Sequence, residues 1–270
     1  MLNSGFMMST TNQINPPKIS VITVCFNASE YIGATVSSIV EQKSISFEYL
    51  IQDGGSGDDT LNIAGALLRD VPEGVEVSVV SEEDDGVYDA MNRAVERARG
   101  EYIIFMNAGD VFYSADALSK IGEILKVKSV DVLYGRHVIY SNDYESGEVA
   151  PRPIGCLWKR MVFSHQSMFA KRSLLAEYPF KVESLSSDHT QIYEMYSNGA
   201  VFYETELCIC RYLDGGLSVQ HYRRSILDRL LGVLKADGIF RFRSVQVVLY
   251  YILIFFAEPT IYEIRRRRKS

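Results

Sequence analysis

The run KISVITVCF, Lys18–Phe26, is continuously apolar and β-branched, which predicts a strand covered on both faces. Working outward, the sequence predicts a helix capped by Ser29 and running through Gln42, with Ile32, Val36, Ile39 and Val40 on one stripe. A second strand, Phe47–Gln52, ends in DGGSGDDT; a helix through Arg69 and a strand over Val75–Val80 follow. SEEDDG then leads into a helix over Val87–Arg99, which Gly100 is expected to end, and strand Tyr102–Met106 closes on NAGD. Four alternations of strand and helix with short connections predict an α/β layer with a mixed, mainly parallel sheet. Ligands of such sheets sit at the carboxyl ends of the strands, where three acidic loops fall here.

Downstream, strand signal covers Asp131–Tyr140, SHQSMFA from Ser164 and Ala200–Tyr212, and Ser186 or Ser187 opens a helix. Met1–Pro17 reads as a loose lead-in, 18–217 as the α/β domain, and 218–270 as a helical, basic and apolar extension, with the boundary near Gly216–Gln220. The net charge is −6; Arg265–Lys269 contributes +5, leaving −11 on the rest. An acidic body argues against a general nucleic-acid binder. Cys25, Cys156, Cys208 and Cys210 form no C-x-x-C pair and read as reduced thiols, most of them buried.

VITVCFN, DGGSGDDT, EDDGVYDAMNRA and GEYIIFMNAGD, taken in order, resemble the successive motifs of family 2 glycosyltransferases. SHQSMFAKRSL, SSDH and GGLS resemble the colanic-acid-type branch of exopolysaccharide assembly, and the resemblance spans about Ile19–Ser218. It implies a Rossmann-like GT-A fold and an inverting transfer from a UDP- or GDP-sugar to a hydroxyl of a glycan or polyprenyl-linked acceptor. Asp53 and Asn27 would lie at the nucleotide, Asp84 near the ribose or base edge, and Asn92 and Asn107 in the same pocket. Asp58 and Asp59 read as helix-start caps.

Family members carry D-x-D at the position of NAGD, where carboxylates meet a divalent cation, Mg2+ or Mn2+, that acts as Lewis acid on the diphosphate. Here Asn107 and Gly109 replace two of those positions, so Asp110 alone would hold the metal, with His221 as a weaker further ligand. Asp188, at a helix N-terminus that favours its charged form, matches the general base. His165 and Gln166, on a strand edge, would line the sugar or acceptor pocket, and Arg211 could counter the diphosphate.

Two rival enzyme classes lack their signatures: no G-x-G-x-x-G follows the first strand, and no glycine- and arginine-rich phosphate loop marks a sugar-phosphate nucleotidyltransferase. A degenerate relative that binds nucleotide sugar without turnover is the non-enzymatic alternative. The run Val245–Ala257, VQVVLYYILIFFA, is too short to span a bilayer, for which about 20 residues are needed. Flanked by Arg241, Arg243 and Arg265–Lys269, it predicts either an interfacial helix at the cytoplasmic face of a membrane or a helical pair packed on the body or on a second subunit.

Overall fold

The computed structural model describes residues 19–141, 144–215, 221–237 and 245–255. The lead-in 1–17, the boundary at 216–220 and the basic run 265–269 lie outside the described residues. In chain order the elements are β1 (Ile19–Cys25), α1 (Ile32–Val40), β2 (Glu48–Asp53), α2 (Thr60–Leu67), β3 (Glu76–Ser81), α3 (Val87–Arg97), β4 (Tyr102–Phe105), β5 (Val111–Phe112), α4 (Ala117–Val127), β6 (Val132–Ser141), β7 (Tyr144–Glu145), β8 (Met168–Lys171), α5 (Arg172–Glu177), α6 (Ser187–Ser197), β9 (Phe202–Leu213) and α7 (Tyr222–Asp237). Residues 245–255 form a further helical stretch.

The strands form one mixed sheet in the order β3-β2-β1-β4-β8-β6-β9-β5, with β7 paired to β6. The long ladders, β1 with β2 and β4, β2 with β3, and β6 with β9, are all parallel. The antiparallel ladders are short, and one of them, β4 with β8, is where strand direction changes. This is the GT-A Rossmann-like arrangement expected from the sequence.

β1 is buried at every position because helices cover both of its faces. Ile22 and Val24 face a core shared with α3, α5, α6 and α7, whereas Ile19, Val21 and Cys25 face a second core under α1 and α4. Ile226 and Val233 of α7, with Val247 and Tyr251, belong to the first core, so the C-terminal helices pack on the body.

Several local expectations change. α1 starts at Ile32 behind Tyr31 and has no side-chain cap; the Ser29 amide instead donates to Asp58 Oδ2 at 3.1 Å. Asp58 also accepts from the Thr60 amide at 3.0 Å, so it, rather than Asp59, ties off the start of α2. α2 stops at Leu67, and Leu68–Asp70 tighten into a 3-10 turn. α3 ends at Arg97 with extended Ala98 as its cap, so Gly100 does not terminate it. Gly100 answers to close packing: a Cβ there would stand 2.5 Å from the Ser20 amide nitrogen. SHQSMFA is a strand only from Met168, because His165–Ser167 wind into a 3-10 turn closed by the Ser167 amide on Ser164 O at 2.9 Å.

Candidate active site

Because β1, β2 and β4 run parallel, their carboxyl ends open on one edge of the sheet, where Cys25 and Asp53 are register partners. The Asp53 carboxylate is fully buried and organises the loop that follows it. It accepts the Gly55 amide at 3.2 Å, the Ser56 amide at 2.9 Å and the Ser81 hydroxyl at 2.6 Å. Burial works against its charge, but these donors outweigh it and hold its pKa below the usual range.

Asn27 sits at φ 46° and knits the first loop to the second: its amide donates to Ser56 Oγ at 2.8 Å, and its Oδ1 accepts the Gly57 amide at 2.9 Å. Asp84 turns its own loop, accepting the Gly86 amide at 2.8 Å. Burial first, and then the charges of Asp53, Asp58 and Asp84, push the Cys25 thiol far above its ordinary pKa, and Asp84 reaches back to the second loop, its Oδ2 2.8 Å from where a Cβ on Gly54 would stand. Asn92 is differently employed: its amide bonds both the N–H and the C=O of Phe180, at 2.9 and 2.8 Å, and so pins the segment before α6.

The second half of the edge is built around His165. Its Nδ1 lies 3.4 Å from Asp188 Oδ2, and Asp188 Oδ1 accepts the Tyr88 hydroxyl at 3.2 Å. Tyr88 stacks on Phe180, with ring centroids 5.4 Å apart, so α3 reaches across to the N-terminus of α6. Burial raises the pKa of Asp188, but the hydrogen bond and charge of His165 and the His189 amide overcome it, leaving the carboxyl below its ordinary value. About a fifth of its side chain is accessible. A charged, reachable carboxylate with two fixed donors is suited to accept a proton. The sequence reading missed Tyr88, although it lies inside the EDDGVYDAMNRA motif.

Asp110 is buried, and its Oδ1 accepts the Leu213 amide at 3.2 Å. Burial raises its pKa to about 6 against the opposing pull of His165, Leu213 and Gln166. Thr35 Oγ1 anchors the NAGD turn by accepting the Gly109 amide at 2.9 Å, and the Tyr140 hydroxyl donates to Gly109 O. Two buried polar atoms in this neighbourhood, Asn107 Oδ1 and His165 Nε2, have no partner among the described residues. Buried polar atoms are nearly always satisfied, so both are available to a ligand.

The donor set does not match the expected divalent-cation site. Gly109 lies at φ 103°, in a left-handed conformation that a side chain strains, and a Cβ there would come 3.0 Å from Leu213 Cδ2. The missing carboxylate is therefore excluded by shape as well as by sequence. Asp110 already serves Leu213, and among the described residues no group of three His, Cys, Asp or Glu side chains is arranged to hold a metal. His221 is exposed just ahead of α7 and joins no such group. Arg211 is committed to Glu145 and to the face of Tyr140. All four cysteines are free, Cys25 and Cys210 fully buried and Cys156 and Cys208 partly so.

Known proteins resemble this chain in sequence and in fold. The sequence profile described as Glycosyl transferase family 2 matches residues 20–182. A PGL/p-HBAD biosynthesis glycosyltransferase of Mycobacterium bovis (strain BCG) is 33% identical over 159 residues, 58% of this chain and 60% of that one. The putative teichuronic acid biosynthesis glycosyltransferase TuaG of Bacillus subtilis is 33% identical over 127 residues, 47% of this chain and 49% of that one. The matches thus span roughly half to three-fifths of these curated relatives. Among solved structures, S. aureus TarS 1-349 with UDP-GlcNAc superposes with a TM-score of 0.67 at 17% identity, covering 90% of this chain and 74% of that one. The mannosyltransferase PcManGT from Pyrobaculum calidifontis, in complex with GDP-Man and Mn2+, gives 0.61 at 16% identity, covering 88% and 74%.

Proposed function

The chain belongs to glycosyl transferase family 2, and from that premise we propose that it moves a sugar from a nucleoside-diphosphate sugar to a hydroxyl of a glycan or lipid-linked glycan, with inversion, in bacterial surface-polysaccharide or glycolipid synthesis. The observation that carries the reading is the partly accessible Asp188 carboxylate held between His165 and Tyr88. In the proposed step the Asp188 carboxylate takes the proton of the acceptor hydroxyl as that oxygen bonds the anomeric carbon. The bond from this carbon to the diphosphate oxygen breaks on the opposite side, and the nucleoside diphosphate leaves. A single displacement of this kind inverts configuration.

Asn27, Asp53 and Asp84 carry the loops that would receive the base and ribose. Asn107 Oδ1 and His165 Nε2 are the groups left to meet the donor sugar or the acceptor, with Gln166 beside His165 on the same turn. The nucleotides named with TarS and PcManGT support a nucleoside-diphosphate sugar as donor. A divalent cation, named with PcManGT, would find only Asp110 here, and the step above uses none. The C-terminal 218–270 is proposed to hold the enzyme at an anionic membrane surface, the place where a lipid-linked acceptor is presented.

Replacing Asp188 by Asn tests the base. Transfer should fall by about 10²–10⁴, the range ascribed to general-base catalysis, while nucleotide binding by calorimetry is retained. Near-normal turnover would remove Asp188 from this role. Absence of any donor turnover by the unaltered protein, with or without manganese, would favour the degenerate binder instead.

A further inference from the structure

We infer that the docking surface for the anionic membrane is a bipartite helical face made by α7 and residues 245–255, an assignment that rests on the functional reading above. Each helix is two-sided. On α7, Ile226 and Val233 are buried in the core, whereas Leu227 and Leu231, one turn apart, are 47% and 64% exposed. On 245–255, Val247 and Tyr251 are buried, while Val245, Leu249 and Leu253 repeat every four residues on the outer side, Leu253 at 69% exposure. Single exposed leucines are ordinary, but regular apolar stripes on two neighbouring helices are not. The helices adjoin, since Arg223 at the start of α7 lies over the Phe255 ring at 5.7 Å.

The chemistry of these helices selects the occupant. The described residues 221–237 and 245–255 carry Arg223, Arg224, Arg229 and Lys235 against Asp228 and Asp237, in a chain that totals −6. Beside them Lys159 lies 4.9 Å over Trp158 and 5.8 Å over Tyr250, and the Arg160 guanidinium donates to the Tyr250 hydroxyl at 3.1 Å. Apolar stripes edged by cations and amphipathic aromatic rings match the boundary between acyl chains and anionic headgroups. No helix among the described residues is long and apolar enough to cross a membrane.

The same α7 grips the start of α6. Asp228 accepts the Leu185 amide at 2.7 Å, and Ser225 and Ser186 share a hydrogen bond 2.5 Å long. The helix that would meet lipid is therefore hydrogen-bonded to residues just ahead of Asp188, and docking would fix the height of the cleft above the bilayer.

Co-sedimentation of the full chain with phosphatidylglycerol vesicles and with phosphatidylcholine vesicles tests this. The unaltered protein should sediment with the former and largely not with the latter. Leu231→Ser/Leu253→Ser should weaken that binding about tenfold or more, given the transfer free energy of two leucine side chains. Its thermal midpoint and nucleotide affinity should be retained, because both side chains are already in water. Equal binding by the variant, or no preference for the anionic lipid, would overturn the assignment. So would light scattering that shows a dimer dispersed by the same substitutions, because the face would then cover a second copy. Loss of vesicle binding with normal transfer to a soluble acceptor would sink only this inference. Vesicle binding without any sugar transfer would sink the enzymatic reading and leave the surface standing.

Discussion

His189, next to the Asp188 carboxylate, shows how one buried ring ties stability to pH. Its Nε2 lies 2.7 Å from Leu157 O and its Nδ1 is buried without a partner, so the neutral tautomer with its proton on Nε2 fits. Burial, and then the Arg229 charge, lower its pKa from 6.5 to about 4. Between pH 6.5 and 4 the unfolded chain therefore binds a proton that the folded chain refuses, and stability falls as the pH falls through that window. His137, lowered to about 4 by burial alone, acts in the same direction. His189→Gln should flatten the acid limb of a urea-midpoint profile by up to about 3 kcal/mol, the worth of a shift of this size. A variant whose profile parallels the parent would show that His189 is not buried as a neutral ring. Tyr88 marks the limit of residue-level reading. Its motif is visible, yet its partner lies 100 positions away, and nothing local specifies that α3 and α6 will meet.

Among the elements, continuous apolar runs were legible because both faces of the central strands are covered, so β1, β2 and β4 were readable to within a residue or two. Elements set by competing hydrogen bonds were not. Ser29 looks like a cap until Asp58, brought from the second loop, takes its amide, and His165–Ser167 look extended until the Ser167 amide closes on Ser164. The basic, apolar tail suggested either packing or lipid, and α7 shows its inner side packed against α6. That contact is tight at Gly232, where a Cβ would lie 2.4 Å from Thr190 Oγ1 and 2.7 Å from its Cγ2. Gly232→Ala should destabilise the fold by about 1–3 kcal/mol through overpacking. Thr190→Ala in the same chain should recover at least about 0.5 kcal/mol of that, as expected for residues in contact. Strict additivity of the two substitutions in denaturant midpoints would show that α7 and α6 do not bear on one another at this point.

For the whole molecule, the donor can be found by linkage. A nucleoside diphosphate present at 100 times its dissociation constant adds about 2.7 kcal/mol to stability. For a chain of this size that is about 5–10 °C in melting temperature. Across a panel of UDP- and GDP-sugars the true donor should stand out, whereas manganese alone should leave the melting point unchanged, since Asp110 is spent on Leu213 and no carboxylate fits at Gly109. A manganese-induced rise without nucleotide would reveal a metal site that the donor set does not support. The strand reversal between β4 and β8 has a consequence for ancestry. That ladder carries only the pairs Tyr102 with Lys171 and Ile103 with Ala170, so little backbone pairing stitches β3, β2, β1 and β4 to the strands beyond. Lineages could therefore reshape the portion beyond β8 while inheriting the first four parallel strands intact, and on the proposed reading new linkages would arise without reinventing how the donor is held.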